Sequence, residues 1–113
     1  INRLIRSKSI TIVHCHGRGA GLYSRLLKLF NWKIKVVYTL HGFHPETVNG
    51  LFRRPYIMIE RAFAKITDQI ILLSQSEYNR FICHVGDFPK KLNLIPNYLR
   101  RDEFNPTALD LNL

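Results

Sequence analysis

The chain has 113 residues, room for one small domain rather than two. An apolar share of 46% is that of an ordinary packed protein and excludes wholesale disorder. Lys and Arg number 17 against 8 Asp and Glu, a formal charge of +9, which favours anionic partners: nucleic acid, an acidic membrane surface or phosphorylated small molecules.

Ile10 to Val13 is a β-branched run that reads as a first strand, ending in His14-Cys15-His16-Gly17. A glycine-rich turn, Gly17 to Gly21, follows. A helix is expected over 22–30, with Leu22, Leu26, Leu27 and Phe30 on its buried face and Ser24, Arg25 and Lys28 toward water. Lys35 to Leu40 is the next strand, stopping at His41-Gly42. Pro45 to Gly50 is a loop, and Pro55 suits the first turn of a helix running to about Lys65. Ile70 to Leu73 is a fully apolar strand. Ser74 and Glu77 have capping-box spacing for a helix from Gln75 to His84, ended by Gly86. Lys91 to Ile95 is the last strand, stopped by Pro96-Asn97, and Arg100 onward reads as a linker or frayed end.

Apolar strands alternating with helices predict an α/β fold with a parallel sheet and helices on both faces, joined by right-handed crossovers. Ligands of such sheets bind beyond the carboxyl ends of the strands. That rule selects His14, His16, Gly17, Arg18, His41, Gly42, Ser74 and Asn97. Glycines and a following helix N-terminus can receive an anion, and Arg18 can add a bidentate phosphate contact. The same run also serves as a plain strand-to-helix turn; it lacks the dinucleotide G-x-G-x-x-G and the P-loop ending. His14 and His16 lie on one side of an extended strand, but a metal would need a third ligand from His41 or His44, and none is expected. His41, leaving a strand into a glycine turn, can present a ring nitrogen to a hydroxyl or serve as a structural histidine.

No apolar stretch approaches the roughly 20 residues that cross a bilayer. Membrane contact is therefore expected to be peripheral, through Arg25, Lys28, Trp32 and Lys33, with an ordinary solvated face as the simpler reading. Arg61 and Lys65 make a like-charge solvated pair, and Glu60 is expected to pair with a neighbour rather than act in catalysis. Cys15 and Cys83 are expected to be buried free thiols of a reducing compartment.

In order and spacing, TIVHCHGRGAGLYSRLL, VVYTLHGFHP, IERAFAKITDQIILLSQSEYN and LNLIPN resemble the N-terminal domain of glycosyltransferase family 4. Bacterial members that build surface polysaccharides or lipid-linked glycans are the most similar. The resemblance covers about residues 4–106 and implies a partial GT-B N-terminal Rossmann-like domain over 1–106, with 107–113 as a tail. It implies a cytoplasmic enzyme, peripheral on the inner face of the membrane, that moves a sugar from a nucleotide-sugar to an acceptor hydroxyl with retention and without metal or cofactor. His41 matches the histidine near the reacting centre. His16, Gly17, Arg18 and Gly42 border the acceptor cleft, Ser74 matches the strand-end serine, and Asn97 matches the I-P-N turn. The sugar or lipid-linked acceptor belongs to this domain. The nucleotide-sugar is held mainly by a C-terminal domain that the chain lacks, so the chain alone is expected to be inactive. Tyr98 stands where the family usually has glycine, and Cys15 where threonine or serine is commoner.

Two other classes remain open on sequence alone. A basic nucleic-acid-binding module would explain the charge, though the basic residues lack interleaved aromatics, and no nucleic acid is expected as partner. A small dinucleotide-binding domain lacks its fingerprint. If upstream strands are missing, the first strand is left as an open edge, which favours self-association.

Overall fold

A computed structural model describes residues 1–97. The boundary expected at residue 106, the tail after it and Tyr98 lie outside the described residues. Element order is α1 (Asn2–Ser7), β1 (Ile12–His16), α2 (Gly17–Phe30), β2 (Lys35–Thr39), a 3-10 turn (Pro45–Thr47), α3 (Gly50–Ile66), β3 (Gln69–Leu72), α4 (Gln75–His84) and β4 (Leu92–Leu94).

The four strands form one parallel sheet in the order β1-β2-β3-β4. The expected α/β, Rossmann-like class holds. Every strand therefore ends on the same edge of the sheet. Side chains alternate across it. Val36, Tyr38, Ile70, Leu72 and Leu92 are buried on one side and form the core with Phe43, Ala64 and Phe81. On the other side, Ile12 and His14 are exposed and Val37 and Ile71 half-buried, so the covering of the two faces is uneven among the described residues. In this order β1 is an edge strand, as its reading as an open edge required.

The first strand runs three residues further than its β-branched run, through His16, and α2 starts directly at Gly17. The glycines expected to form a turn are thus the first turns of the helix. Gly21 is a contact point: a Cβ there would lie 2.3 Å from the Tyr38 ring.

The buried face of α2 is the reverse of the one expected. Gly21, Ser24, Arg25 and Lys28 are buried, while Leu22, Tyr23, Leu26, Leu29 and Phe30 are exposed. The reason is long-range pairing. Arg25 makes a bidentate bond to Glu60 of α3 at 2.7 and 3.0 Å, and its Nε donates to Gly21 O at 2.9 Å. Its guanidinium lies 4.4 Å from the Tyr38 ring centre and 4.7 Å from that of Phe63. Lys28 donates to Asp68, which also accepts the Val36 N–H at 2.8 Å. The Glu60 partner is thus a buried one on another helix. Arg25 and Lys28 face inward and are not available to lipid headgroups, which corrects that expectation.

Helix α3 begins at Gly50 rather than near Pro55, with Asn49 accepting the Leu51 N–H as N-cap. Pro55 sits inside the helix on its exposed side, where the carbonyl it leaves unpaired can meet water. Helix α4 and its Ser74 cap fall where the sequence put them. The short α1 has no counterpart in the sequence reading; it tucks Ile5 into the core. Cys15 is buried, its thiol pushed up by burial, but Cys83 is exposed, against expectation.

Candidate functional site at the carboxyl edge of the sheet

Because the strands are parallel, His16 at the end of β1, His41 just past β2, Ser74 just past β3 and Asn97 just past β4 all lie along one edge. The register sets the first pair side by side: His16 is opposite Thr39, two residues before His41. His16 Nδ1 and His41 Nε2 are 3.1 Å apart, a hydrogen bond in which one ring donates and the other accepts. The His14 ring lies behind His16, tilted by 38° with centroids 4.3 Å apart, and its Nε2 meets Thr39 Oγ1 at 2.8 Å. A column of three exposed imidazoles results, with His16 in the middle between His14 and His41. His44 is bonded instead to Glu46, at 3.3 Å.

Arg18, on the first turn of α2, closes the group from the side. Its guanidinium donates to Gly42 O at 3.2 Å and lies 5.7 Å from the Tyr56 ring centre. It is exposed, and its remaining N–H groups are free to point outward. The N-cap of α2 is His16, which makes no side-chain capping bond, so the first-turn N–H groups of that helix open onto the same spot. Gly17 takes φ of +74° at this junction and Gly42 φ of +85° at the turn after β2, both left-handed conformations that glycine adopts without strain.

The spacing from Ser74 makes Glu77 the second half of a capping box, and the side chain does more than that. Ser74 Oγ accepts the Glu77 N–H at 3.2 Å, the expected half. The Glu77 carboxylate, however, crosses to the turn after β2. One oxygen accepts the N–H groups of Gly42 and Phe43, both at 2.9 Å, and the other accepts Leu73 N–H at 2.9 Å. A buried side chain that accepts three backbone N–H groups is held rigidly in one place. It fixes the His41-Gly42 turn to the start of α4.

His16, Gly17, Arg18, His41 and Gly42 are thus brought into one group. Ser74 joins it through Glu77, with its hydroxyl 3.1 Å from that of Ser76. Asn97 shares the edge but is exposed at the far end of it, two strands from His41. The group is an open surface. A cavity of about 540 Å³, lined by Ile5, Ile10, Asn31 and Ile34 among others, lies at the opposite ends of the strands. Among the described residues, no three His, Cys, Asp or Glu side chains are grouped to hold a metal ion.

The family model of glycosyltransferase family 4 matches residues 1–102. The chain belongs to glycosyltransferase family 4. It is similar to the Escherichia coli UDP-Gal:alpha-D-GlcNAc-diphosphoundecaprenol alpha-1,3-galactosyltransferase, with 29% identity over 105 residues, 92% of this chain and 27% of that protein. It is also similar to the O-antigen biosynthesis glycosyltransferase WbnH and the probable O-antigen biosynthesis glycosyltransferase WbiN, both of Escherichia coli. Each is 23% identical over 97 residues, 86% of this chain and 28% of theirs. The chain spans little more than a quarter of the length of these curated relatives. No helix of the described residues is long and apolar enough to cross a membrane.

Proposed function

We propose that this chain is the acceptor-side part of a sugar transferase that passes a sugar from a nucleotide-sugar to a lipid-linked or sugar acceptor in bacterial surface-glycan synthesis. The observation that carries the reading is the meeting of Arg18, the uncapped start of α2 and the His16–His41 pair on one open edge. A cation and free N–H groups suit a diphosphate. Beside them, His41 can hold an acceptor hydroxyl or take its proton as the new bond forms. His41 is the proposed catalytic residue, and His16, Gly17, Arg18, Gly42, Ser74 and Asn97 are the proposed acceptor-binding residues. The names of the similar proteins, one of which acts on a GlcNAc-diphosphoundecaprenol, support an acceptor of that kind. Such an acceptor lies in the membrane, so the chain is placed peripherally on its inner face.

The donor is expected to be held by residues beyond this chain, and no cofactor enters the reading. The 113 residues alone are therefore expected not to transfer sugar. Calorimetric titration tests the division of labour. A short-chain GlcNAc-diphosphate ester is expected to bind, and Arg18→Ala to weaken it roughly tenfold. Binding of a UDP-sugar with no binding of the ester would contradict the acceptor-side assignment, and transfer by the chain alone would contradict its inactivity.

A further inference from the structure

Helix α2 is built with its polar residues inward and its apolar residues outward. Leu26 is 38% exposed, Tyr23 68% and Phe30 75%, at spacings of three and four that put them on one outer face. Trp32, just beyond the helix, is 71% exposed. The neighbouring α3, joined to α2 through Arg25 and Glu60, repeats the pattern. Leu51 and Met58 are 79% and 68% exposed, and Arg54 and Lys65 recur on the same outer face. Water is a poor solvent for such a surface.

The charge on this surface decides what covers it. Helix α2 contains no acid, and the only acid of α3, Glu60, is buried against Arg25. Asp68 is held by Lys28 and Lys35. The fold thus draws Glu60 and Asp68 inward beneath these helices and leaves the outer faces of α2 and α3 apolar and basic. A second copy of the chain is a poor match: a two-fold contact would set Arg54 and Lys65 against the same residues with no acid from either helix between them. An anionic bilayer matches both features. Its acyl boundary accepts Phe30, Leu26, Leu51 and Met58, while Arg54, Lys65 and Lys33 reach the phosphate layer.

We propose that the outer faces of α2 and α3 form an anionic-lipid docking surface, on which these helices lie in the plane of the membrane interface. The proposal deepens the peripheral placement given above and moves the contact from Arg25 and Lys28 to the opposite side of α2. It concerns where the chain rests and not what it transfers.

Flotation with glycan-free vesicles tests it, because protein that merely aggregates stays at the bottom of the gradient. The sequence has one tryptophan, Trp32, exposed just beyond α2 with its ring centre 5.8 Å from the Lys28 ammonium, so its emission reports on the end of that helix. The chain is expected to float with phosphatidylcholine–phosphatidylglycerol vesicles, with a blue shift of Trp32 emission, and to bind pure phosphatidylcholine more weakly. Arg54→Ala is expected to lower partitioning about fivefold. Phe30→Ser is expected to lower it roughly tenfold or more, and both side chains are exposed, so circular dichroism should stay unchanged. Absence of flotation with anionic vesicles overturns both this surface and the peripheral placement. Flotation unaffected by either variant overturns the surface alone. A dimer by light scattering that Phe30→Ser dissociates assigns the surface to a second copy and also overturns the proposal.

Discussion

Glu77 holds Gly42 by a hydrogen bond of 2.9 Å that spans 35 residues of sequence, from the first turn of α4 to the turn that follows His41. The same oxygen takes the Phe43 N–H and its partner oxygen the Leu73 N–H. Glutamine in this place would turn an NH2 group toward one of these donors. Glu77→Gln is therefore expected to cost roughly 1–3 kcal/mol in urea unfolding. It should also shift the Gly42 and Phe43 amide resonances. Unchanged stability with unmoved Gly42 and Phe43 signals would show that the turn is held by other means.

Two glycines of α2 are expected to respond in opposite directions to alanine. At Gly19 nothing lies within 4 Å of an added Cβ, and the helix there gains from alanine. Gly19→Ala is expected to stabilise by up to about 1 kcal/mol. At Gly21 the added carbon would press into the buried Tyr38 ring, and Gly21→Ala is expected to destabilise by about 1–3 kcal/mol despite the better propensity. Thermal melts of the two variants check the sign of each.

The buried Arg25–Glu60 pair predicts a non-additive double mutant. Glu60→Ala leaves Arg25 charged, 1% exposed and without its carboxylate, and is expected to cost about 3–5 kcal/mol. Replacing both by apolar residues of similar size, Arg25→Met with Glu60→Leu, is expected to recover most of that loss, since no lone buried charge remains. Urea unfolding of the single and double variants measures the coupling, and additive losses would contradict it.

These inward charges also mark where the sequence was and was not legible. The strands at 35–39 and 69–72 stand out as short runs rich in β-branched residues, 92–94 lies in a leucine-containing run stopped by Pro96, and Ser74 announces α4 by its own cap. Parallel strands then put His16, His41, Ser74 and Asn97 on one edge, so the site's outline followed from topology. The inner face of α2 did not follow. Its leucine stripe and its Ser24-Arg25-Lys28 stripe are both helical in period, and the choice between them rests on Glu60 and Asp68, 35 and 40 residues away from their partners. The reach of Glu77 was hidden for a similar reason: Ser74, three residues away, offered it a local role.

Acid should reveal the Asp68 contact. Burial pushes the Asp68 carboxyl up, but the Lys28 bond and the Val36 N–H outweigh it and hold the group below the usual carboxylate range. A carboxylate held low in the folded state adds stability above its unfolded value, near pH 4, and that stability drains away as pH falls further through the folded value. The chain is expected to lose stability below about pH 4 more steeply than Asp68→Asn, whose curve lacks this contribution. Parallel acid limbs for the two proteins would show that Asp68 is not the group responsible.

The acceptor is expected to lie along the edge formed by His16, Arg18, His41 and Gly42. Amide and imidazole resonances of the isotope-labelled chain, followed while a short-chain GlcNAc-diphosphate ester is added, test this most directly. Saturable shifts centred on Gly17, Arg18 and Gly42, with the His41 ring signals moving in step, are predicted. Saturable shifts confined to the opposite end of the strands, around Ile10 and Asn31, would contradict it.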